Sequence, residues 1–251
     1  MPYGMYISAD GAQAQSMRLE VLANNLANVD TVGFKRELAI CQARYAEAIG
    51  QGLQAPGSGA VEDVGGGIIV RQTKTDYSAG PLKRTESPSD LAIDGDGFFL
   101  VRKGDEAFLT RAGNFRTTPR GELVSQQGYA VLSDSGAPIV ANPENGSWSV
   151  DTFGTLRQQN GAPQNLAMVK PASYDDLVKV GENLFRPLGA TEPVPAAQRR
   201  MAPGYVELSV VRPTTEMTEL IEASRLFEAN VSMMKAQDQM LSGLVNRMLR
   251  V

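Results

Sequence analysis

Histidine is missing from all 251 residues, and cysteine occurs once, at Cys41. Without imidazole, histidine-based acid–base catalysis, Ser-His-Asp triads, Cys-His dyads and ordinary zinc sites are out of reach. One thiol closes no intrachain disulfide. Cys41 is expected to be a small buried hydrophobe, with a reactive thiol as the alternative. An excess of one charge is lacking too: 24 Lys and Arg stand against 28 Asp and Glu, a net charge of -4. Nothing in that balance grips a phosphate backbone, so no nucleic-acid partner is expected. No apolar run approaches the ~18 residues of a membrane span, so no membrane insertion is expected either. The opening MPYGMYISADGAQAQSMRLE has neither the basic start nor the apolar core of a secretory signal.

What is present is a chain with 42% hydrophobic and 21% charged residues, long enough to bury a core. Residues 1–48 read mainly as helix, with a break near Asp30 to Gly33. Residues 49–67 are rich in Gly, Ala and Pro and read as a linker. From 68 to 204, short apolar segments such as Phe98–Val101, Ala107–Thr110 and Trp148–Val150 alternate with turn signals, the spacing of antiparallel strands. Residues 205–251 return to helix. Arg212-Pro213 disfavours helix on its amino side, Thr214 or Thr215 can cap, and Glu216, Glu219 and Glu222 load the first turns. The expected fold is α+β, with long amino- and carboxyl-terminal helices paired like a coiled coil and an antiparallel β-rich domain inserted between them.

The carboxyl-terminal helix carries two apolar stripes. Met217, Leu220, Phe227, Val231, Met234, Leu241, Val245 and Met248 follow a three-four spacing, interrupted at Ser224 and Asp238, and suit one partner helix. A second stripe, Leu226, Met233, Met240 and Leu244, lies roughly 100° round the cylinder. Intermolecular burial is one way to cover it, and packing on the chain's own β domain is the other. In the amino-terminal helix Leu19, Leu22 and Leu26 share one side, yet Asn24, Asn25 and Asn28 interrupt the rhythm. Amides in a helical interface must find partners and so select a register; alternatively they mark a fraying helix end ahead of the turn at Gly33. The residues expected at an assembly interface are these, with Phe34, Met217, Leu220, Leu226, Phe227, Met233, Met234, Met240, Leu241 and Leu244.

Motifs for chemistry fail on inspection. The stretch SDLAIDGDGFF (89–99) lacks the ligand spacing of a calcium loop from either Asp90 or Asp94. Gly95 and Gly97 begin a dinucleotide fingerprint that stops at Leu100, and Gly65-Gly-Gly67 lacks the Gly-Lys-Ser/Thr of a phosphate loop. Turn chemistry accounts for both clusters. Asp94, Asp96, Asp105 and Glu106 lie close in sequence, as paired catalytic carboxylates must in space, but acidic residues at hairpin turns are ordinarily solvated. No catalytic residue, cofactor or metal site is assigned.

The motifs VLANNLANVDTVGFKRE, SDLAIDGDGFF, LTRAGNFRTTPRGELVSQQGYAVL, ENLFRP and GYVELSVVRPTTEMTELIEASRLFEAN occur in this order. With them the chain resembles the bacterial flagellar rod and hook axial protein family along nearly its whole length. The resemblance implies a structural subunit, not an enzyme, polymerising helically in the basal-body rod with copies of itself and with other axial proteins. It also implies export by the flagellar type III apparatus without a cleaved signal. Residues 216–228 and 231–235 look like the proximal-rod branch, with the distal rod or a hook-like protein as the alternative. Where many members have Ser-Asn-Val-Asn-Pro, this chain has Ser209-Val-Val-Arg-Pro213. A ligand-binding or carbohydrate-active β protein with a helical oligomerisation stalk is the rival from another class.

Overall fold

From Tyr3 to Ala27 the sequence holds no proline and several good helix formers, and it forms helix α1. The computed structural model describes residues 3–45, 49, 52, 65–142 and 146–248; most of the expected linker at 49–67 lies outside them. α1 stops where the chain tightens: the Thr31 amide donates to the Asn28 carbonyl (3.2 Å) and Phe34 to that of Thr31 (3.2 Å). Gly33 has φ +68°, and a Cβ there would stand 2.5 Å from the Arg111 carbonyl carbon. Only glycine fits.

After the break the chain does not return directly to helix, as the sequence suggested for residues up to 48; positions 46–48 lie outside the described residues. Glu37–Ala43 is strand β1, paired antiparallel with β2, Ile68–Thr75, through a bulge at Ile40/Cys41. β2 begins Ile-Ile-Val, residues that suit a pleated surface, and it supplies the pairing from more than twenty residues away. Cys41 sits exposed on this ribbon, not buried as expected, because the two-stranded sheet leaves it facing water.

The second long helix, α2, spans Pro213–Met248, 36 residues or about 54 Å. Proline is its first residue rather than a barrier before it, with a preset φ and no amide to waste. The Glu216 amide closes the first turn onto the Arg212 carbonyl at 3.0 Å. The architecture is therefore α+β, with a helix at each end and a β-rich middle.

Two compact units divide the chain. The first contains α1, β1, β2 and α2. Its helices run antiparallel in contact: Gly4 lies against Gln237, Gly11 against Asn230, and Arg18 pairs with Glu219 at 3.5 Å. The second comprises residues 28–36 and 77–210. Its nine-stranded antiparallel sheet centres on the hairpin Phe98–Lys103/Glu106–Thr110. Strands 184–187 and 177–181 extend one side, and 130–131, 123–124 and 116–117 the other; 168–171 and 191–193 complete it. Phe98 and Phe99 face opposite ways into separate apolar clusters, so this central strand is dry on both faces. The turn ahead of it uses Gly95 (φ +126°) and Gly97 (φ +134°), the geometry that the DGDG sequence was expected to serve. Strands 201–203 and 205–207 return to pair with 91–93 and 82–84.

Candidate assembly surface

The asparagine question resolves at Asn25. Fully buried, its amide reads the backbone of Glu37 from both sides: Nδ2 donates to the carbonyl (2.8 Å), and Oδ1 accepts from the amide (2.9 Å). Nδ2 also reaches Glu216 Oε2 at 3.3 Å, a carboxylate itself 1% exposed in the first turn of α2. One amide thus ties α1, the start of β1 and the start of α2 together. Asn24 is exposed, and the half-buried Asn28 accepts from the Thr31 hydroxyl at 3.1 Å in the helix-ending turn.

Along α2 the positions turned toward α1 are Glu216, Leu220, Ala223, Phe227, Asn230 and Met234, all buried or half-buried, with Gln237 and Leu241 continuing the heptad. This corrects the expected seam. Met217 and Val245 are 52% and 54% exposed, and smaller or polar residues sit inward instead. α1 explains the choice at two positions: Gly4 faces the Gln237 side chain and Gly11 that of Asn230, so the backbones come close where the inward α2 residues are polar. Leu22 is buried, and Leu19 and Leu26 are half-buried. Their surface is already used within this chain.

Phe34 is also used internally, in the β unit, where Lys179 Nζ lies 3.9 Å above its ring. Beside it is a cluster the sequence reading did not find. Lys35 Nζ donates to Glu207 Oε1 (2.6 Å) and to the Ser78 carbonyl (2.7 Å). Arg111 donates to Glu207 Oε2 (3.2 Å) and to the Gly95 carbonyl (2.6 Å), and the Gly80 amide adds a third donor to the carboxylate (2.8 Å). All three charged side chains are at most 4% exposed. Two cations meet one carboxylate, and main-chain carbonyls take up the remaining positive charge.

The second stripe remains wet. Leu226, Met233, Met240 and Leu244 are 42%, 53%, 62% and 56% exposed. In the acidic group in the middle of the chain, Asp96 is bound to Lys170 (2.8 Å) and Glu106 to Arg186 (2.7 Å), all at the surface. An open groove of about 730 Å³ is lined by Arg84, Glu86, Ser87, Ser149 and Tyr205 among others, and none of those carboxylates borders it.

An apolar stripe left exposed on a helix whose seam is already occupied has the character of an association surface. Comparison with known proteins gives the family. Three family models match: flagella basal body rod protein over residues 5–35, flagellar hook protein FlgE/F/G D1 domain over 92–179, and flagellar basal body rod FlgEFG protein C-terminal over 202–247. The chain is 31% identical to the flagellar basal-body rod protein FlgF of Caulobacter vibrioides, over the whole of both chains. It is 32% identical to FlgG of Bacillus subtilis, across 96% of this chain and 97% of that one. FlgG of Buchnera aphidicola subsp. Baizongia pistaciae is 33% identical over the same shares. The chain belongs to the flagellar basal-body rod protein family. Each matched segment donates one member of the buried ionic cluster: Lys35, Arg111 and Glu207.

Proposed function

We propose that this structural subunit of the flagellar rod polymerises helically through α1 and α2, which pair in coiled-coil fashion, to form part of a hollow drive shaft. Its partners are copies of itself and other axial proteins, and it reaches the rod through the flagellar type III export apparatus without a cleaved signal. No catalytic step is assigned to it. The observation that carries the reading is the wet stripe on α2. Each Leu or Met moved fully from water is worth roughly 1.5–3 kcal/mol, so half-exposed side chains repeated down one helix leave several kcal/mol to be gained only on association. Relatives named FlgF match at 30 to 31% and those named FlgG at 28 to 33%, so identity does not choose between the branches. The proximal-rod assignment rests on residues 216–228 and 231–235, with the distal rod or a hook-like axial protein as the alternative.

Converting the stripe to charge tests the reading. The double variant Met233→Glu/Met240→Glu changes two exposed positions, so the purified monomer should keep its circular dichroism spectrum and its melting temperature within a few degrees. In cells lacking the native chain it should fail to restore swimming and be missing from isolated basal bodies. Normal incorporation of a folded double variant refutes the reading.

A further inference from the structure

Leu226, Met233 and Met240 of the wet stripe are half of a second heptad seam. Each is followed three positions on by a small residue, Ala229, Ala236 and Gly243 in turn, every one exposed, so large and small side chains alternate with period seven along a face that closely admits another helix. A Cβ at Gly243 would meet nothing within 4 Å. Arg247 ends this seam.

α1 carries an outward seam of its own. Tyr6 (63% exposed) and Met17 (41%) stand in heptad register with exposed Gln13, Glu20, Asn24 and Ala27. Asp10, half-buried with its side chain beside Gly67 just ahead of β2, fills the remaining position and forms the edge of the seam. The two outer seams have equal length, Tyr6 to Ala27 and Leu226 to Arg247, about 32 Å each. Run antiparallel with Met17 opposite Ala236, they bring Ala27 against Leu226, Asn24 against Ala229 and Asp10 against Gly243. At the far end Tyr6 meets Arg247, a cation over an aromatic face, with Asp10 one turn away to pair with the same guanidinium.

We infer that the outer seam of α2 in one copy docks antiparallel on the outer seam of α1 in the next. This inference rests on the rod-subunit reading and names its contact. Two different surfaces meet, so the contact is heterologous: a copy bound through α2 still offers its own α1 seam, and the assembly stays open-ended. The closed alternative is α2 on α2, antiparallel, with Leu226 against Gly243, Met233 against Ala236 and Glu222 facing Arg247. It ends at two copies and leaves Tyr6 and Met17 in water.

Thiol cross-linking separates the two. The full chain carrying Cys41→Ser, Met17→Cys and Ala236→Cys is concentrated, treated with a short bismaleimide and run on a denaturing gel, with circular dichroism confirming its fold. Head-to-tail docking gives a ladder of trimers and longer species, whereas chains with either cysteine alone stay at background. Absence of the ladder overturns the inference, as does a band that stops at dimer from a mixture of Met233→Cys and Ala236→Cys chains. The same double-cysteine chain is then followed into basal bodies. Incorporation without cross-linking removes this contact and keeps the rod reading; a ladder in solution with no incorporation keeps the contact and removes the rod reading.

Discussion

Glu207 is the residue on which the ionic cluster turns. Its two oxygens take Lys35, Arg111 and the Gly80 amide at 2.6 to 3.2 Å, all away from water. Removing one member of such a cluster costs more than the pair contributes, because the charges left behind stay buried without a partner. Glu207→Ala should therefore lower unfolding stability by roughly 3–5 kcal/mol in urea melts, with Glu207→Gln, which keeps an acceptor, losing less. A change under about 1 kcal/mol for the alanine variant would show that the cluster relaxes into solvent. Lys35, Arg111 and Glu207 all stand in the quoted motifs, yet their association was not legible there: Lys35 and Glu207 are 172 positions apart, and nothing local announces a lysine as buried. The asparagines were half legible. Their excess signalled hydrogen-bonding demand, but whether Asn25 or the Asn24/Asn28 face met it depended on where β1 begins.

Elements were legible where one face alone decides them. The hairpin Phe98–Thr110 and the helices α1 and α2 follow from period and turn chemistry. β1 was missed because a strand of Leu, Ala, Ile and Cys draws its identity from β2 across a long excursion, although Leu38 and Ile40 do show the alternation of a strand. The seam of α2 was shifted because periodicity weighs the largest side chains, whereas glycines on the opposite helix face polar ones. Two ion pairs join neighbouring elements of the β unit and set a pH response. The Lys170 hydrogen bond holds Asp96 below its ordinary 3.8, and the Lys103 hydrogen bond, then Tyr129, holds Glu182 below 4.5. Both lysines are raised above 10.5 by the same bonds. Lowered carboxylates stabilise the fold above their unfolded values and cease to do so as pH falls through the folded ones; raised lysines stabilise below 10.5 and cease as pH climbs past it. Melting temperature should accordingly be flat from about pH 5 to 10 and fall modestly on both sides, the acid loss shrinking in the double variant Asp96→Asn/Glu182→Gln. An unchanged acid limb in that variant would assign it to other carboxylates.

At the scale of the molecule, the two units hide apolar surface to different degrees. The β unit encloses two clusters rich in Phe, Leu, Ile and Val, none more than 8% exposed, the surface whose removal from water drives folding. The helical unit mixes Gly, Ser, Ala, Asn and Gln with Leu220, Phe227, Met234 and Leu241 between α1 and α2, and turns Tyr6, Met217, Ile221, Met233 and Met240 outward, so less of its possible hydrophobic stabilisation is realised in one copy. Local opening free energy follows buried apolar contact. In the free monomer, amides of α1 and α2 should exchange with deuterium at least ten times faster than those of strands 98–103 and 106–110, and they should slow toward the strand rates in assembled basal bodies. The contrast has a direct physical source: a subunit that keeps part of its folding energy for its neighbours is held less firmly by itself. Equal protection of helices and strands in the monomer would mean that the terminal helices are already fully stabilised before assembly, and the wet stripe would then be surface without consequence.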